Sequence, residues 1–228
     1  MCKLKSAIIL KDRIFMPDYD SHSDMLKELG IKDDYLGASK KFVRAELSPA
    51  DNDVFSNIDT WALKVDQDIT PDWFDKDTYL PLMREKVKEW AKDHIHIGVT
   101  GLKISTGQNH YIKDCKDVEI YGSATVEYIY GSATVNNIYD SATVKYIYGS
   151  ATVKNIYDSA TVKYICGSAT VEYIYGSATV ISSQYTKWQN SDKVILCDNA
   201  TFKDRYTKTI YQSGDWKLVS VKAEENNG

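Results

Sequence analysis

The sequence predicts an α+β N-terminal domain followed by a parallel β-solenoid of about 18 residues per coil and a C-terminal β cap. Three observations support this prediction: a nine-residue repeat, a second period of two repeats hidden inside it, and non-repetitive sequence on both sides. The predicted boundaries are 1–97 for the head domain, 98–181 for the solenoid, with its regular part at 120–180, and 182–228 for the cap.

The repeat comprises six full nine-residue copies and a seventh partial one, beginning with IYGSATVEY at Ile120. Ile, Ser, Ala, Thr and Val are identical in every copy, and the β-branched and aromatic composition favours strands. The Gly or Asp that precedes each Ser is typical of turns. Each copy is therefore predicted to form one short strand and one bend.

The second period appears at the variable positions. Asp140 and Asp158 occupy the turn position in odd copies, whereas Asn137 and Asn155 occur in even copies. Two copies per coil explain this pattern, because like positions then stack every 18 residues, with coils about 4.8 Å apart. Ala and Val of each copy are predicted to point inward, joined by Ile after a local bend, and Ser and Thr to point outward. The direction of Tyr128 stays open.

The alternative fold is an antiparallel β-meander repeat sheet. Seven-residue strands joined by two-residue Gly-Ser turns also produce a period of nine. Such a sheet would be long and would have little sequence available to cover it. The solenoid is therefore the favoured prediction.

The flanking regions carry ordinary secondary-structure signals. A first helix is predicted after Ser21, which fits a capping box, and a long helix at 78–95, with Pro81 in its first turn. Strands are predicted at 6–10 and 14–16 as a hairpin, at 42–47, and at 61–65. Residues 112–118 and 195–202 resemble decayed copies of the repeat, and 209–212 with 216–221 is predicted to be a closing hairpin.

Composition excludes several classes of protein. The net charge of −4 fits neither a strongly basic nucleic-acid binder nor an acidic nucleic-acid mimic. No apolar run is long enough for a signal peptide or a membrane span, so we expect a soluble, cytoplasmic protein without membrane contact. No two of the four cysteines have C-x-x-C spacing, which indicates reduced thiols. The sequence assigns neither a metal nor a cofactor.

The N-terminal strings KSAIILKDRIFMPDYDSHSDMLKELGIKDD and KVDQDITPDWF, the S-A-T-V repeats and the string TKTIYQSGDWKL extend over almost the whole chain. They resemble a group of uncharacterised hypothetical proteins from gut bacteria and their phages. The resemblance implies a unit with a variable number of repeats, and it carries no activity. It favours a phage-encoded protein that blocks a host system, in the cytoplasm of a bacterial host.

Candidate sites in the non-repetitive parts are few. Cys2 follows Met1 and, if exposed by removal of Met1, is a candidate nucleophile of an N-terminal-Cys amidohydrolase. Two sets of candidate metal ligands and one polar and aromatic cluster are also present, and each is explained as well by turns, a helix cap or a structural His pair. They are Asp18, Asp20, His22 and Asp24; His94 and His96 with His110 or Cys115; and Asp66, Gln67, Asp68, Asp72 and Trp73.

The repeats carry the candidate binding residues. One column of tyrosines, interrupted by Cys166, and a set of neighbouring lysines are predicted to contact a partner; they are Tyr121, Tyr130, Tyr139, Tyr148, Tyr157 and Tyr175, with Lys145, Lys154 and Lys163. Tyr is enriched at protein interfaces, so a non-catalytic protein-binding module is the favoured function, as an anti-CRISPR-like or other anti-defence inhibitor. Single-stranded nucleic acid is a less favoured partner. The alternatives are buried tyrosines, a structural or ice-binding Thr surface, and a homodimer formed through the solenoid ends.

Overall fold

The structure is a computed structural model that describes residues 4–34, 36, 38, 40–49, 51–183, 185, 188–190 and 193–213. The chain divides into two compact units, Met1–Ile95 and His96–Gly228. In the described part of the chain, no helix has the length and apolar character needed to cross a membrane.

The N-terminal unit contains two α-helices and a four-stranded antiparallel sheet, in the order β2 (Ile14–Phe15), β1 (Lys5–Ile9), β3 (Val43–Ser48), β4 (Ala62–Val65). Met25 and Leu26 of the first helix pack with Ile8 of β1, whereas Trp90 of the second helix lies beside the side chain of Lys5. Because Lys5 and Ile8 point to opposite faces of β1, one helix covers each face. The elements are β1 (Lys5–Ile9), β2 (Ile14–Phe15), α1 (His22–Glu28), β3 (Val43–Ser48), a 3₁₀ helix (Ile58–Thr60), β4 (Ala62–Val65) and α2 (Lys76–His94).

Both predicted helices are present, with one difference. Ser21 caps α1, its hydroxyl accepting a hydrogen bond from the Asp24 backbone N–H. The α2 helix begins at Lys76, capped by Asp75, so Pro81 is the sixth helical residue and the prediction that it lies in the first turn was wrong. Proline at this position leaves the carbonyl of Asp77 without its helical donor, and the exposed position of Asp77 gives that carbonyl access to water.

The second unit is a parallel β-solenoid made of two sheets. The eight-stranded sheet, which we call the front sheet, has the order β18-β17-β15-β13-β11-β9-β7-β5, and the six-stranded back sheet has the order β16-β14-β12-β10-β8-β6. The strands are β5 (Ile95–Ile97), β6 (Lys103–Ile104), β7 (His110–Lys113), β8 (Val118–Ile120), β9 (Thr125–Tyr130), β10 (Thr134–Ile138), β11 (Thr143–Ile147), β12 (Thr152–Ile156), β13 (Thr161–Ile165), β14 (Thr170–Ile174), β15 (Thr179–Ser182), β16 (Ile195–Leu196), β17 (Thr201–Asp204) and β18 (Thr209–Gln212).

Successive copies of the repeat alternate between the two sheets. Thr143 pairs with Thr161 in the front sheet and Thr134 with Thr152 in the back sheet, in both cases 18 residues apart and in parallel strands. The predicted coil of two copies is therefore confirmed, and the antiparallel meander is excluded. The invariant Thr, Val and Ile residues of the repeat stack in register along each sheet.

The repeat residues Ala, Val and Ile fill the solenoid interior and are fully buried. Between Val126 and Ile129, two consecutive residues, Glu127 and Tyr128, are only partly buried and lie outside the core. This is the predicted bend before Ile, and it resolves the direction of Tyr128. The Ser residues of the repeats are exposed in the turns, whereas the Thr residues at the strand starts are half-buried.

The turns form two edges of the solenoid. The edge that leads from back to front strands carries Gly122, Asp140, Asp158, Gly176 and Asp198, all with φ between 55° and 62°. A left-handed backbone favours Gly and, among other residues, Asp and Asn, which explains why only Gly and Asp occupy this position of the repeat. The two repeat Asp residues thus share one edge because they are 18 residues apart.

The predicted decayed copies also belong to the solenoid. Residues 112–118 contain the end of β7 and buried Cys115, and 195–202 contain β16, a turn at Asp198 and the start of β17. At the C-terminal end, β18 pairs antiparallel with β17. The predicted second arm of the closing hairpin, 216–221, lies outside the described residues. Trp188 closes part of the core here, since its ring is buried against Phe202 and its indole N–H donates to the Ala169 carbonyl.

Candidate functional site: the tyrosine ladders

The tyrosines predicted as one column lie in two columns, at different edges of the solenoid. Tyr130 is the last residue of front strand β9, and Tyr148 and Cys166 directly follow front strands β11 and β13. The other four directly follow back strands; these are Tyr121, Tyr139, Tyr157 and Tyr175. The prediction of a single column was wrong because consecutive copies belong to opposite sheets. The same division places Lys145 and Lys163 on the front sheet and Lys154 on the back sheet.

The largest aromatic assembly is on the front sheet and includes tyrosines that were not among the predicted binding residues. Its rings stack from rung to rung, with centroids 5.7, 5.2 and 5.3 Å apart and interplanar angles of 21°, 15° and 22°. We call this series the front ladder; its members are Tyr111, Tyr128, Tyr146 and Tyr164. Tyr148 packs beside it, with its ring centroid 5.6 Å from that of Tyr146. The sequence signal for the ladder was the Tyr that ends three odd copies.

The front ladder is only partly hydrated. Burial raises the pKa of Tyr148 well above its ordinary value, and the neighbouring Cys166 thiol and the Tyr128 phenol raise this pKa further. Burial is also the main cause of the raised pKa of Tyr128. These phenols therefore stay neutral at physiological pH, and their hydroxyl groups are available as hydrogen-bond donors.

Cations flank the front ladder. Lys145 forms an ion pair with Glu127 on the preceding rung, with an N–O distance of 2.5 Å, whereas Lys163 on the next rung is exposed and has no ion-pair partner among the described residues. At the C-terminal end, Arg205 donates a hydrogen bond to the Tyr164 hydroxyl at 2.9 Å, and its guanidinium carbon lies 5.6 Å from the ring centroid. The front ladder therefore ends in a cation–π contact. We call the front ladder with Tyr148, Lys145, Lys163 and Arg205 the front surface.

A second ladder follows the back-to-front edge. Tyr139 is stacked between Tyr121 and Tyr157, with centroid distances of 5.1 and 5.0 Å and interplanar angles of 8° and 5°. Tyr175, the next member of this column, stacks on Tyr173. The turn residues of this edge include the acidic Asp140, Asp158 and Asp198.

The geometry of the ladders limits what they can bind. A base inserted between two rings needs about 7 Å, twice the stacking distance of ~3.4 Å, whereas the front ladder rings are at most 5.7 Å apart. Intercalation of bases would therefore require the rungs to separate. The exposed parts of the rings are their edges and hydroxyl groups, which suit contact with a protein surface. On the front sheet the Thr column is flanked by a Glu and Lys column and by the tyrosines, so it is not an isolated flat surface.

Neither set of candidate metal ligands converges on one point within the described residues. In the first set, Asp20 accepts hydrogen bonds from the Lys5 ammonium and the Ser6 backbone N–H, while Asp18 faces His94 at 3.8 Å. His22 lies elsewhere, beside Asp66, with 3.6 Å between the imidazole Nδ1 and a carboxylate oxygen. The first predicted set is thus dispersed.

The side chains of the second set contact backbone carbonyls and other rings, and among the described residues they form no group of three ligand atoms. The His94 Nδ1 lies 2.8 Å from the Trp90 carbonyl and its ring stacks on Trp90, whereas the rings of His96 and His110 stack on each other with centroids 5.8 Å apart. The Cys115 thiol contacts the His96 carbonyl, and burial raises its pKa. Three or more potential ligand atoms meet, within the described residues, only at His22, Glu46 and Asp66.

The polar cluster after β4 is divided between two roles. Trp73 packs edge-on against Phe74 and Tyr79, while Asp72 forms an exposed ion pair with Lys40 at 2.9 Å. Asp66 instead joins His22 and Glu46, a buried residue of β3 that sequence reasoning missed because nothing in the strand pattern distinguishes it. Cys2, the candidate nucleophile, lies outside the described residues.

In comparisons with known proteins, no family model, no curated protein and no solved structure matched this chain.

Proposed function

We propose that this protein is a non-catalytic binding module whose front surface docks a protein partner with acidic side chains. The observation that carries the proposal is the stacked front ladder, flanked by exposed Lys163 and ending at Arg205. Tyr and Arg are enriched among the residues that dominate protein–protein binding energy, and here both types occur on one sheet of a regular scaffold.

The stacked arrangement lowers the cost of binding. Each ring of the front ladder is held between neighbours on adjacent rungs, and the rungs are joined by parallel backbone hydrogen bonds. Immobilising a flexible side chain at an interface costs about 0.5–1.5 kcal/mol, and rings that are already stacked in the free protein avoid much of this cost. The ladder is therefore a preorganised contact area.

The charges on the front surface define the partner. Lys145 is neutralised by Glu127, which leaves the exposed ammonium of Lys163 beside the rings, while Arg205 contacts the last ring of the ladder. Complementary charge accelerates association and selects partners, so acidic side chains opposite Lys163 are expected. A single-stranded nucleic acid also has negative charge, but the close ring spacing leaves no room for a base between two rings.

The biological role that we propose is inhibition of a host defence system by a phage-encoded protein. The support for this setting is the resemblance described from the sequence, and the support for a binding role is the front surface. Catalysis is not part of the proposal. An enzyme of this kind needs a nucleophile with a base and an oxyanion donor, whereas the proposal rests on the stacked tyrosines and the cations of the front surface.

The test compares two lysines that occupy the same position of the repeat on opposite sheets. Lys163 of the front sheet and Lys154 of the back sheet are both exposed and both follow the repeat Val. Immobilised wild-type protein, K163E and K154E are used to capture proteins from a bacterial host lysate, and the dissociation constant of the captured partner is then measured with purified components. We expect K163E to weaken binding about tenfold and K154E to leave it unchanged.

Two controls complete the experiment. Circular dichroism establishes that both variants are folded, and fluorescence anisotropy with labelled single-stranded DNA is expected to show no binding that competes with the partner. The proposal fails if no partner is retained, if K163E and K154E weaken binding equally, or if the DNA displaces the partner.

A further inference from the structure

Three side chains that are distant in sequence meet in the N-terminal unit. His22 is the first residue of α1, Glu46 lies in β3, and Asp66 directly follows β4. One ligand atom from each lies within 4.8 Å of the others. Two of the three residues are buried, which distinguishes this group from a surface cluster of charges.

The imidazole of His22 is oriented by the backbone of β3. Its Nε2 lies 3.2 Å from the carbonyl oxygen of Ala45, which can only accept, so Nε2 carries the proton and donates. In the neutral ring Nδ1 then has a free lone pair, and this atom lies 3.6 Å from the Asp66 carboxylate. A second ring nitrogen bonded to a backbone carbonyl is the arrangement that orients histidine ligands in metal sites.

Glu46 supplies an independent observation. Its side chain is only 4% exposed, yet its carboxylate receives no hydrogen bond from the described residues, and its one ion-pair partner among them is Lys64, at 4.0 Å. Ser6, the partner of Glu46 in the adjacent strand β1, has a fully buried hydroxyl to which no described residue is hydrogen-bonded. A buried carboxylate without hydrogen bonds is costly, and a coordinated cation would offset that cost.

Lys64 and Asp66 form the solvent side of this group. Their side chains are 59% and 47% exposed, and the Lys64 ammonium lies 3.8 Å from an Asp66 oxygen. An exposed lysine on a flexible stem can turn towards solvent, which leaves an entry path for an ion. In the absence of an ion, Lys64 partly neutralises the two carboxylates and therefore competes with a cation.

We infer that His22, Glu46 and Asp66 form a zinc-binding site. One imidazole nitrogen and two carboxylate oxygens are ligands that Zn²⁺ accepts, and three protein ligands leave a fourth position for water or another ligand. The imidazole disfavours Ca²⁺ and Mg²⁺, which prefer oxygen ligands. The two carboxylates balance the charge of one divalent ion. This site is in the N-terminal unit and is independent of the front surface.

The test measures binding of Zn²⁺ to the full chain by calorimetry, and of Co²⁺ by visible absorption. We expect one ion per chain and a Co²⁺ spectrum without a thiolate charge-transfer band, because the proposed ligands are nitrogen and oxygen atoms. H22Q and E46Q are expected to weaken Zn²⁺ binding by about 10- to 100-fold or more. K64Q removes the competing cation and is expected to tighten Zn²⁺ binding several-fold.

The matched control is D72N, which removes a carboxylate of the same unit that is 90% exposed and ion-paired with Lys40. D72N is expected to bind Zn²⁺ like the wild type. Circular dichroism without metal shows whether each variant is folded, and D66N replaces E46Q if the latter is not. A site that H22Q and D66N leave unchanged, a thiolate band with Co²⁺, or no saturable binding to the folded wild type would each overturn the inference.

Discussion

Asp140 accepts a hydrogen bond on its side-chain Oδ2 from the backbone N–H of Gly122, 18 residues earlier, at 2.9 Å. The same contact recurs along the back-to-front edge, where Asp158 accepts from the N–H of Asp140 at 3.3 Å and Asp198 from that of Gly176 at 3.1 Å. Aspartate at this turn therefore serves two purposes. It tolerates the left-handed backbone, and it links its own rung to the preceding one.

Substitutions at Asp140 should separate these two purposes. D140G keeps a residue that adopts φ of 56° easily but loses the hydrogen bond, so we expect destabilisation of about 1 kcal/mol. D140A loses the hydrogen bond and also strains the backbone, and we expect about 2 kcal/mol. Urea unfolding measures both. Equal losses in the two variants would show that backbone strain contributes nothing here.

Asp114 should make the solenoid sensitive to acid. The Ser132 backbone N–H and hydroxyl both donate to its carboxylate, and these hydrogen bonds lower its pKa below the ordinary value. A lowered folded-state pKa gives stability that is present above the unfolded pKa of about 3.9 and is lost as pH falls through the folded value. We therefore expect the urea midpoint of D114N to depend less on pH below about pH 4 than that of the wild type.

The intermediate variant for this prediction is S132A, which removes the hydroxyl donor and keeps the backbone donor. Its acid sensitivity should lie between those of the wild type and D114N. An unchanged pH dependence in D114N would mean that Asp114 is not hydrogen-bonded as the structure shows.

Two glycines of the front-to-back edge should respond differently to alanine. Both have a left-handed backbone, with φ of 72° at Gly131 and 70° at Gly167. A Cβ at Gly131 would lie 2.2 Å from an Asp114 carboxylate oxygen, whereas at Gly167 the nearest atom would be 3.6 Å away. We expect G167A to cost about 1 kcal/mol for backbone strain and G131A about 2–3 kcal/mol, because Asp114 must also leave its partner.

The double variant D114A/G131A tests the origin of that difference. Removing the Asp114 carboxylate opens the space for the new Cβ, so the extra effect of G131A should be smaller in this background. Chemical unfolding of the four proteins gives the coupling energy. A purely additive result would exclude the contact with Asp114 as the cause.

Tyr148 should limit stability at high pH. Burial raises its folded-state pKa above the ordinary value of about 10, so the stability that the neutral phenol provides is present below pH 10 and is lost as pH rises from there. Titration of phenolate absorbance, followed together with circular dichroism, should show some tyrosines ionising only as the solenoid unfolds. Y148F keeps the ring without the titrating group and should unfold at higher pH. Ionisation of Tyr148 near pH 10 in the folded protein would contradict this prediction.

The two-copy rung was predictable because the variable positions obey the geometry of stacking. Asn137 and Asn155 both belong to the back sheet, and the Asn155 side-chain amide donates to the Asn137 side-chain oxygen at 3.1 Å. Amide side chains gain from a like neighbour in the next rung, and that requirement leaves an 18-residue signature in the sequence. The buried Ala, Val and Ile were predictable for a similar reason, since the core repeats with every copy.

The positions of the tyrosines were harder to predict. Strict alternation from Val126 would place Tyr128 in the interior, whereas the strand bends before Ile129 and leaves two neighbouring residues outside. The degree of bending depends on how both sheets close around a narrow core, and it cannot be predicted from the sequence of a single strand. The prediction of a single column for the other tyrosines was wrong, because it did not apply the 18-residue period, which places consecutive copies on opposite sheets.

The group around Glu46 depends on tertiary pairing. Lys64 lies beside Glu46 because the two residues are paired in the antiparallel register of β3 and β4. Asp66 is two residues after Lys64. His22 reaches the same place only because α1 packs on this face of the sheet. These contacts join residues that are separated by long loops, so the local pattern of the sequence could not predict them.

Because the copies alternate between the front and back sheets, the array can change in length without moving downstream residues to the other sheet only if it changes by two copies at a time. Excision of 18 residues from the array would shorten both sheets by one strand and keep every downstream side chain on its original side. Excision of nine would transfer all downstream tyrosines and lysines to the opposite side and leave the C-terminal hairpin facing the wrong partner strand. Such a scaffold can therefore become longer or shorter by the gain or loss of pairs of copies.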